Sequence, residues 1–362
     1  MTALPIQRLR THLPRARAAL RRGAITLGFI GGSITDPRPG CNWPEPVAAW
    51  FNATYPEVRV TVENAAIGAT SSDSACFRAR ANLLERGCDL VFVEYAVNDG
   101  GEPTGTRRRW REGLVRQLLA DGGRDVLFAY TFSQPMYADM HAGRLPPSIA
   151  ELEELAAHYG IGSAWMGLAA LREVEAGAMP WEVWLPDGLH PQHRGSLSYA
   201  QAVIAHLREA LAGEPPAATA PALPIPLDPA HWQAARILPW SDVTWQGPWV
   251  LRRDPQLAWV GPVLTTNAPG AHLSFAFDGR ACALCFDFGT LSGEFRWRLD
   301  GGDWQTMQRD RPSWVGPGGW LRIAHLADDL QPGRHVVELE TIHGGETCKG
   351  TACKLVFVGI VG

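Results

Sequence analysis

The sequence predicts an α/β domain with a parallel sheet, followed by an all-β sandwich or jelly roll. Three observations carry the prediction. Between residues 24 and 212, short apolar runs alternate with amphipathic helical stretches. A segment with six prolines, "GEPPAATAPALPIPLDP" at 213–229, then breaks that pattern with linker composition. Beyond it, short alternating runs end near glycines and no helical periodicity returns. At 362 residues the chain exceeds a usual single domain, and the expected division is 1–212, a linker at 213–228, and 229–362.

Taken in order, apolar runs of buried-strand character lie at 24–30, 58–65, 88–97 and 125–132, with a weaker fifth at 160–167. Helical patterns at 45–55, 71–87, 106–122, 147–160 and 195–213 separate and follow them. Strand then helix, repeated, dictates right-handed crossovers with helices on both faces of the sheet. Ligands of such sheets bind beyond the carboxyl ends of the strands, which directs attention to 31–35, 64–70, 96–100 and 131–135. In the second half "AHLSFAFDG", "ACALCFDFG", "HVVELETI" and "CKLVFVGIV" read as strands. "EFRWRLDGGDWQTM" reads as a hairpin closed by Asp300-Gly301-Gly302.

Composition excludes several function classes. Apolar residues make up 46% and charged residues 19% of the chain, an ordinary globular balance. A net charge of −4 leaves no electrostatic footprint for nucleic acid. Arg8, Arg10, Arg15, Arg17, Arg21 and Arg22 interleave with Ile6, Leu9, Leu13, Ala16 and Leu20 at helical spacing, so they read as an amphipathic surface helix interrupted at Pro14. No run reaches the roughly 18–20 apolar residues of a membrane span, and the first residues lack a secretory core. The expectation is a soluble cytoplasmic protein with no membrane partner, its state as monomer or homo-oligomer left open. Seven cysteines suit no disulfide framework in a chain this long. Cys282, Cys285, Cys348 and Cys353 are expected as buried thiols, or with one disulfide, rather than as a zinc site.

The chemistry begins at "GFIGGSITDPRPG", 28–40, where Gly31-Gly32-Ser33 closes the first strand. A serine on such a turn exposes its hydroxyl, and its N–H is placed to meet an anion. A turn of this kind is also common at strand ends, so Ser33 alone decides nothing. In "DGLHPQHRG", 187–195, Asp187 and His190 stand three residues apart. That spacing lets the carboxylate accept a hydrogen bond from the imidazole Nδ1–H and leaves Nε2 as a base, while an N-capping Asp and a surface His fit equally well. "NAAIGATSS", 64–72, places Gly68 where a bare N–H approaches a ligand, and "EYAVNDG", 94–100, offers the Asn98 amide as a donor. Gly68 alone is an ordinary turn glycine and Asn98 an ordinary cap. Four such elements in order, each at or near a predicted strand end, point to a nucleophile, a base and an oxyanion hole.

With those blocks in place, the sequence resembles the SGNH (GDSL-like) hydrolases. The matching blocks are G-G-S-I-T at 31–35, N-A-A-I-G at 64–68, V-N-D at 97–99 and D-G-L-H-P at 187–191. The resemblance covers residues 24–212 and implies a flavodoxin-like α/β/α sandwich. It further implies Ser33 as nucleophile, His190 as base oriented by Asp187, and an oxyanion hole formed by Ser33, Gly68 and Asn98. Two departures stand out. Gly32 replaces the Asp that more often precedes the serine, as in a G-G-S-I-T subgroup. The second block is one residue short, so the donor is either Gly68 or Ala69.

The implied reaction is ester hydrolysis through an acyl-Ser33 intermediate, with no metal or organic cofactor. Activity is then expected to rise as His190 loses its proton, with Asp99 the alternative orienter and His193 the alternative base. Asp36, Arg38, Asn42, Trp43, Glu45, Asp99, Glu102, Gln134, Tyr137 and Trp184 mix polar groups with aromatics, as sugar hydroxyls and ring faces require, although exposed loops carry the same residues. Nine of the fifteen tryptophans fall between Trp232 and Trp320, either as sandwich core or as sugar-stacking rings. Similar carbohydrate esterases join such a domain to a jelly roll, which implies removal of O-acetyl groups from a saccharide. An O-acyltransferase, a short-chain lipid or aryl esterase, and a non-catalytic sugar-binding module are the alternatives, the partner in each case being a small molecule or oligosaccharide.

Overall fold

The computed structural model describes residues 4–37, 41–212, 222–307, 311–346 and 348–362. Arg38 and residues 213–221 of the expected linker lie outside them. The chain divides into two compact units, Met1–Gln233 and Ala234–Gly362.

In the first unit the strands are β1 (Gln7–Arg8), β2 (Ala24–Gly31), β3 (Arg59–Asn64), β4 (Leu90–Glu94), β5 (Asp125–Ala129) and β6 (Gly162–Ala164). The helices are α1 (Pro14–Arg21), α2 (Pro44–Thr54), α3 (Ser72–Ala79), α4 (Thr104–Leu119), α5 (Tyr137–His141), α6 (Pro147–Tyr159), α7 (Met166–Glu175), α8 (Trp181–Trp184) and α9 (His193–Leu211). Five parallel strands run in the order β3-β2-β4-β5-β6, and β1 adds an antiparallel edge to β6. This is the flavodoxin-like order. Strands of such a sheet are covered on both faces, and Leu27, Phe29, Ile30, Leu90, Val91 and Phe92 are all fully buried. Phe29 stacks on Phe92 with centroids 4.7 Å apart, and the Trp43 ring meets both edge-on.

The chain leaves β2 for β3 on one side and returns to β4 on the other, so the strand order reverses between β2 and β4. A crevice opens at such a reversal, beyond the carboxyl ends of the two strands. Gly31 and Glu94 face each other across it in register.

Several elements differ from expectation. Pro14 starts α1 instead of interrupting a helix, because a proline at the first helical position gives up only an N–H that has no intrahelical partner. The 71–87 helix ends in a π turn at Arg80–Leu84. The weak fifth run yields only three strand residues before α7 begins at Met166.

The expected linker also behaves differently. Leu227 and Asp228 donate their N–H groups to the Glu112 carboxylate at 2.6 and 2.7 Å, and Arg116 donates to the Pro224 carbonyl at 2.8 Å. Trp232, 1% exposed, packs its ring 5.3 Å from Phe77 and 5.7 Å from Trp110. A Cβ on Gly113 would lie 2.5 Å from the Trp232 backbone, so this close approach requires glycine. Trp232 therefore belongs to the first unit, and the division falls after Gln233 instead of before residue 229.

The second unit is a β-sandwich, as expected. Its strands are β7 (Ala235–Leu238), β8 (Val243–Gln246), β9 (Val250–Arg252), β10 (Val263–Thr266), β11 (His272–Gly279), β12 (Ala281–Asp287), β13 (Glu294–Leu299), β14 (Gln305–Met307), β15 (Leu321–Ala327), β16 (Gly333–Ile342) and β17 (Cys353–Val361). One antiparallel sheet runs β15-β12-β17-β10-β9, with β7 also on β17, and the other runs β14-β13-β16-β11-β8. Their inward faces share one core, with Phe275 and Leu339 from one sheet against Leu284 and Leu355 from the other. The β13–β14 hairpin pairs Phe295 with Met307, and Asp300 and Gly301 both take positive φ, 51° and 71°, in its turn. Trp249 and Trp297 are core, whereas Trp314 is exposed and Trp304 lies under the guanidinium groups of Arg296 and Arg298. Cys76, Cys88, Cys282, Cys285, Cys348 and Cys353 are buried thiols and Cys41 is half-buried.

Candidate active site

Residues 32–36 form a single helical turn at the end of β2, with the Gly32 carbonyl accepting from Thr35 N–H at 3.1 Å and Asp36 N–H at 3.0 Å. Ser33 sits at the start of this turn, where a backbone N–H has no partner within the turn. The hydroxyl of Ser33 lies 2.8 Å from His190 Nε2. His190 Nδ1 lies 2.7 Å from Asp187 Oδ2. The other oxygen of Asp187 accepts the N–H groups of Leu189 and His190 at 2.9 and 2.7 Å, which fixes the carboxylate plane. Ser33, His190 and Asp187, the three residues singled out in the sequence, thus form one hydrogen-bonded chain across 157 positions. Partial burial pushes the Asp187 carboxyl up, but the two N–H groups and the imidazole outweigh it and hold the carboxyl below its ordinary value.

Asn98 reaches the same turn from the end of β4. Its side-chain amide lies against Gly32 so closely that a Cβ there would sit 2.0 Å from Oδ1 and 2.7 Å from Nδ2. Among the described residues the amide of Asn98 has no hydrogen-bond partner, and neither do the N–H groups of Ser33 and Ala69. Gly68 does not join them. Its N–H donates to Asp36 Oδ2 at 2.9 Å, so this expected donor is committed inside the fold. Ala69, at φ 57°, holds a left-handed backbone conformation, and its uncommitted N–H is the other donor that the short second block left open.

The remaining sequence candidates are placed elsewhere. Asp99 is fully buried, accepts from Ser72 N–H at 2.9 Å and from Ser72 Oγ at 2.8 Å, and pairs with Arg111 at 2.8 Å. It locks the start of α3 to α4 and does not orient His190. His193 opens α9 on the surface. Trp43 and Trp184, grouped with the sugar-facing loop residues, are fully buried, while Tyr137 stays exposed.

Sequence reasoning passed over the groups that hold the turn in shape. Trp43 Nε1 donates to Thr35 Oγ1 at 3.0 Å, and Asn64 Nδ2 donates to the Thr35 carbonyl at 2.9 Å. Glu94, fully buried under Gly31 and Gly32, accepts from Thr35 Oγ1 at 3.1 Å and from Thr131 Oγ1 at 2.7 Å. The available signal was a carboxylate inside the otherwise apolar run "LVFVEYAV".

The depression above Ser33, about 330 Å³, is lined by Ile34, Cys41, His190, Pro191 and Gln192. A second of about 660 Å³ shares Asp187 with it and is bounded by Gln134, Met136, Pro146, Gly188 and Leu189. Among the described residues no group of histidine, cysteine and carboxylate side chains is arranged to hold a metal ion.

No family model matches the chain, and no curated protein does. Solved structures do. A two-domain esterase (CEX) active on acetylated mannans superposes with a TM-score of 0.81 at 22% identity, over 96% of this chain and 95% of that one. Its crystal with mannopentaose gives a TM-score of 0.79 with the same identity and coverage. Axe2, an acetylxylan esterase from Geobacillus stearothermophilus, aligns over 51% of this chain and 94% of its own at 20% identity, with a TM-score of 0.40. Over nearly its whole length, the chain has the fold of the two-domain acetylmannan esterase.

Proposed function

We propose that this protein is a serine ester hydrolase that removes O-acetyl groups from a saccharide through an acyl-Ser33 intermediate. The observation that carries the reading is the unbroken chain from Ser33 Oγ to His190 Nε2 at 2.8 Å and from His190 Nδ1 to Asp187 at 2.7 Å, at the strand-order reversal. His190 takes the Ser33 proton as Oγ attacks the ester carbonyl carbon. Asp187 accepts a hydrogen bond from Nδ1–H, which fixes the tautomer with Nε2 as acceptor and favours the imidazolium that forms. The negative charge developing on the carbonyl oxygen is met by the N–H groups of Ser33 and Ala69 and by the Asn98 amide, three donors with no other acceptor among the described residues. Protonated His190 then gives its proton to the leaving alcohol. Water, deprotonated by the same imidazole, cleaves the acyl-serine and releases the carboxylate.

The acetyl group and the sugar alcohol rest on two supports. The depression at Ser33 is about 330 Å³ and mixes the polar Asp187 and Gln192 with Ile34, Cys41 and Pro191, which suits a small acyl group on a polar alcohol. The fold is shared with an esterase active on acetylated mannans. Acetate release from acetylated manno-oligosaccharides, measured for the wild type and Ser33→Ala, tests the reading. The wild type is expected to release acetate and the variant none; equal release by both would refute it.

A further inference from the structure

Glu94 is a buried carboxyl that bonds the nucleophile turn from another strand and takes no part in the proposed chemistry. We propose that Glu94 is a positioning residue for Ser33: its carboxylate clamps the Gly32–Thr35 turn to the end of β5 and so holds the serine in line with His190. The inference rests on the Ser33 reading above.

The geometry is specific. Glu94 Oε2 accepts from Gly32 N–H at 3.4 Å and from Thr35 Oγ1 at 3.1 Å, and Oε1 accepts from Thr131 Oγ1 at 2.7 Å. The Trp43 indole N–H donates to the same Thr35 hydroxyl at 3.0 Å, which occupies one of its lone pairs and favours the Thr35 O–H as the donor to Oε2. Two donors therefore face Oε2 and one faces Oε1, which favours Oε1, toward Thr131, as the place of a proton on Glu94. Taking it turns Thr131 from donor to acceptor and replaces charge-assisted bonds to Gly32 and Thr35 with weaker neutral ones.

Among the described residues no lysine or arginine pairs with Glu94. The titratable groups around it are Asp99 beyond β4, whose charge is paired with Arg111, Tyr95 beside it in the chain, and Tyr199 on α9. Both phenols are pushed up by burial and stay neutral. Burial pushes the Glu94 carboxyl up to about 7, against the opposing hydrogen bonds from Thr131, Thr35 and Gly32. The clamp accordingly tightens as pH rises through that value and loosens as pH falls, in the range where a histidine base also titrates.

The test compares pH profiles of kcat/KM on an aryl acetate for the wild type, Glu94→Gln, Thr131→Val and Ser33→Ala. Glutamine mimics the protonated acid, with its amide facing Thr131. In the wild type two deprotonations are required, so the acid limb steepens toward a slope of about two, and Glu94→Gln reduces it to about one. The same variant is expected to lose about tenfold or more in kcat with KM changed less than about threefold, the pattern of a misplaced nucleophile. Thr131→Val removes a bond that favours the carboxylate and moves the upper ionisation to higher pH. A purely structural role would scale activity with the folded fraction at every pH and leave the slopes alone. Wild-type kcat and slope in Glu94→Gln would overturn the proposal. If that variant fails to fold, an unshifted acid limb in Thr131→Val overturns it instead. An active Ser33→Ala overturns the Ser33 reading first; an inactive one beside an unaltered Glu94→Gln overturns this inference alone.

Discussion

The Asn98 side chain fills the space that a Cβ on Gly32 would need, with Oδ1 2.0 Å from that position. Glycine before the nucleophile is thus a packing requirement of this amide, and the two residues form one unit. The obstructing atoms belong to the end of a short side chain, so a methyl group there displaces Asn98 without breaking the backbone. Gly32→Ala is expected to cost less than about 1 kcal/mol in stability while lowering kcat by about 10²–10³, the effect of losing one oxyanion donor. Asn98→Ala is expected to lower it equally, and the double variant little further, because both remove the same donor. Additive losses in kcat would separate the two residues.

Asp187 and Asp99 are expected to fail in opposite ways. The Asp187 side chain is 55% exposed and its partner is His190, so Asp187→Asn keeps the melting temperature and reduces kcat by up to about 10⁴-fold. Asp99 is fully buried against Arg111, and Asp99→Asn leaves that buried guanidinium with only the more distant Glu151 carboxylate, 3.6 Å away. It is expected to cost about 3–5 kcal/mol in unfolding free energy. Chemical denaturation beside steady-state kinetics on both variants reads the contrast.

Acid stability is expected to depend on His206. This α9 residue is 1% exposed, neither ring nitrogen has a partner among the described residues, and the ring packs against Gly162. Burial, with Arg10 adding to it, lowers its pKa from 6.5 to about 4. The folded state therefore favours the neutral ring, and stability present above pH 6.5 is lost as pH falls toward about 4, by about 3 kcal/mol. His206→Leu is expected to flatten that part of the curve of unfolding free energy against pH. A variant curve parallel to the wild type would assign acid sensitivity to other groups.

The boundary after Gln233 predicts the behaviour of truncated chains. A chain ending at Gln233 keeps Trp232 between Phe77 and Trp110, whereas one ending at Ala212 exposes that surface. The shorter chain is expected to melt at lower temperature, and Trp232→Ala in the longer one to cost about 3–5 kcal/mol.

Strands β2, β4 and β5 were legible because residues buried on both faces leave continuous apolar runs, whereas β3, at the sheet edge, forms where the 58–65 run lies but has none of its six residues buried. Ser33 and Asn98 were legible because each follows such a run at a turn, and Asp187 and His190 because their three-residue spacing just before α9 suits a carboxylate–imidazole pair. Gly68 misled for a physical reason. The sequence marks which residue spares a side chain, but the Gly68 N–H is taken by Asp36, a carboxylate 32 positions away that spacing alone does not bring to it. Trp43 and Trp184 misled because an aromatic residue in a loop segment reads alike whether it caps the core or faces solvent. Trp232 misled because a proline-rich stretch signals extended chain, not detachment, and here the extended chain lies along α4.

The central claim is that Ser33 carries the acyl group. It is tested most directly by rapid acid quenching of the enzyme during turnover of an aryl acetate, with Asp187→Asn used to slow the cycle, followed by peptide mass analysis. The account predicts one acetyl group on the peptide containing Ser33, formed at the rate of the product burst and absent from Ser33→Ala. An acetyl group on another residue, or turnover that persists in Ser33→Ala with no acyl-enzyme, would contradict it.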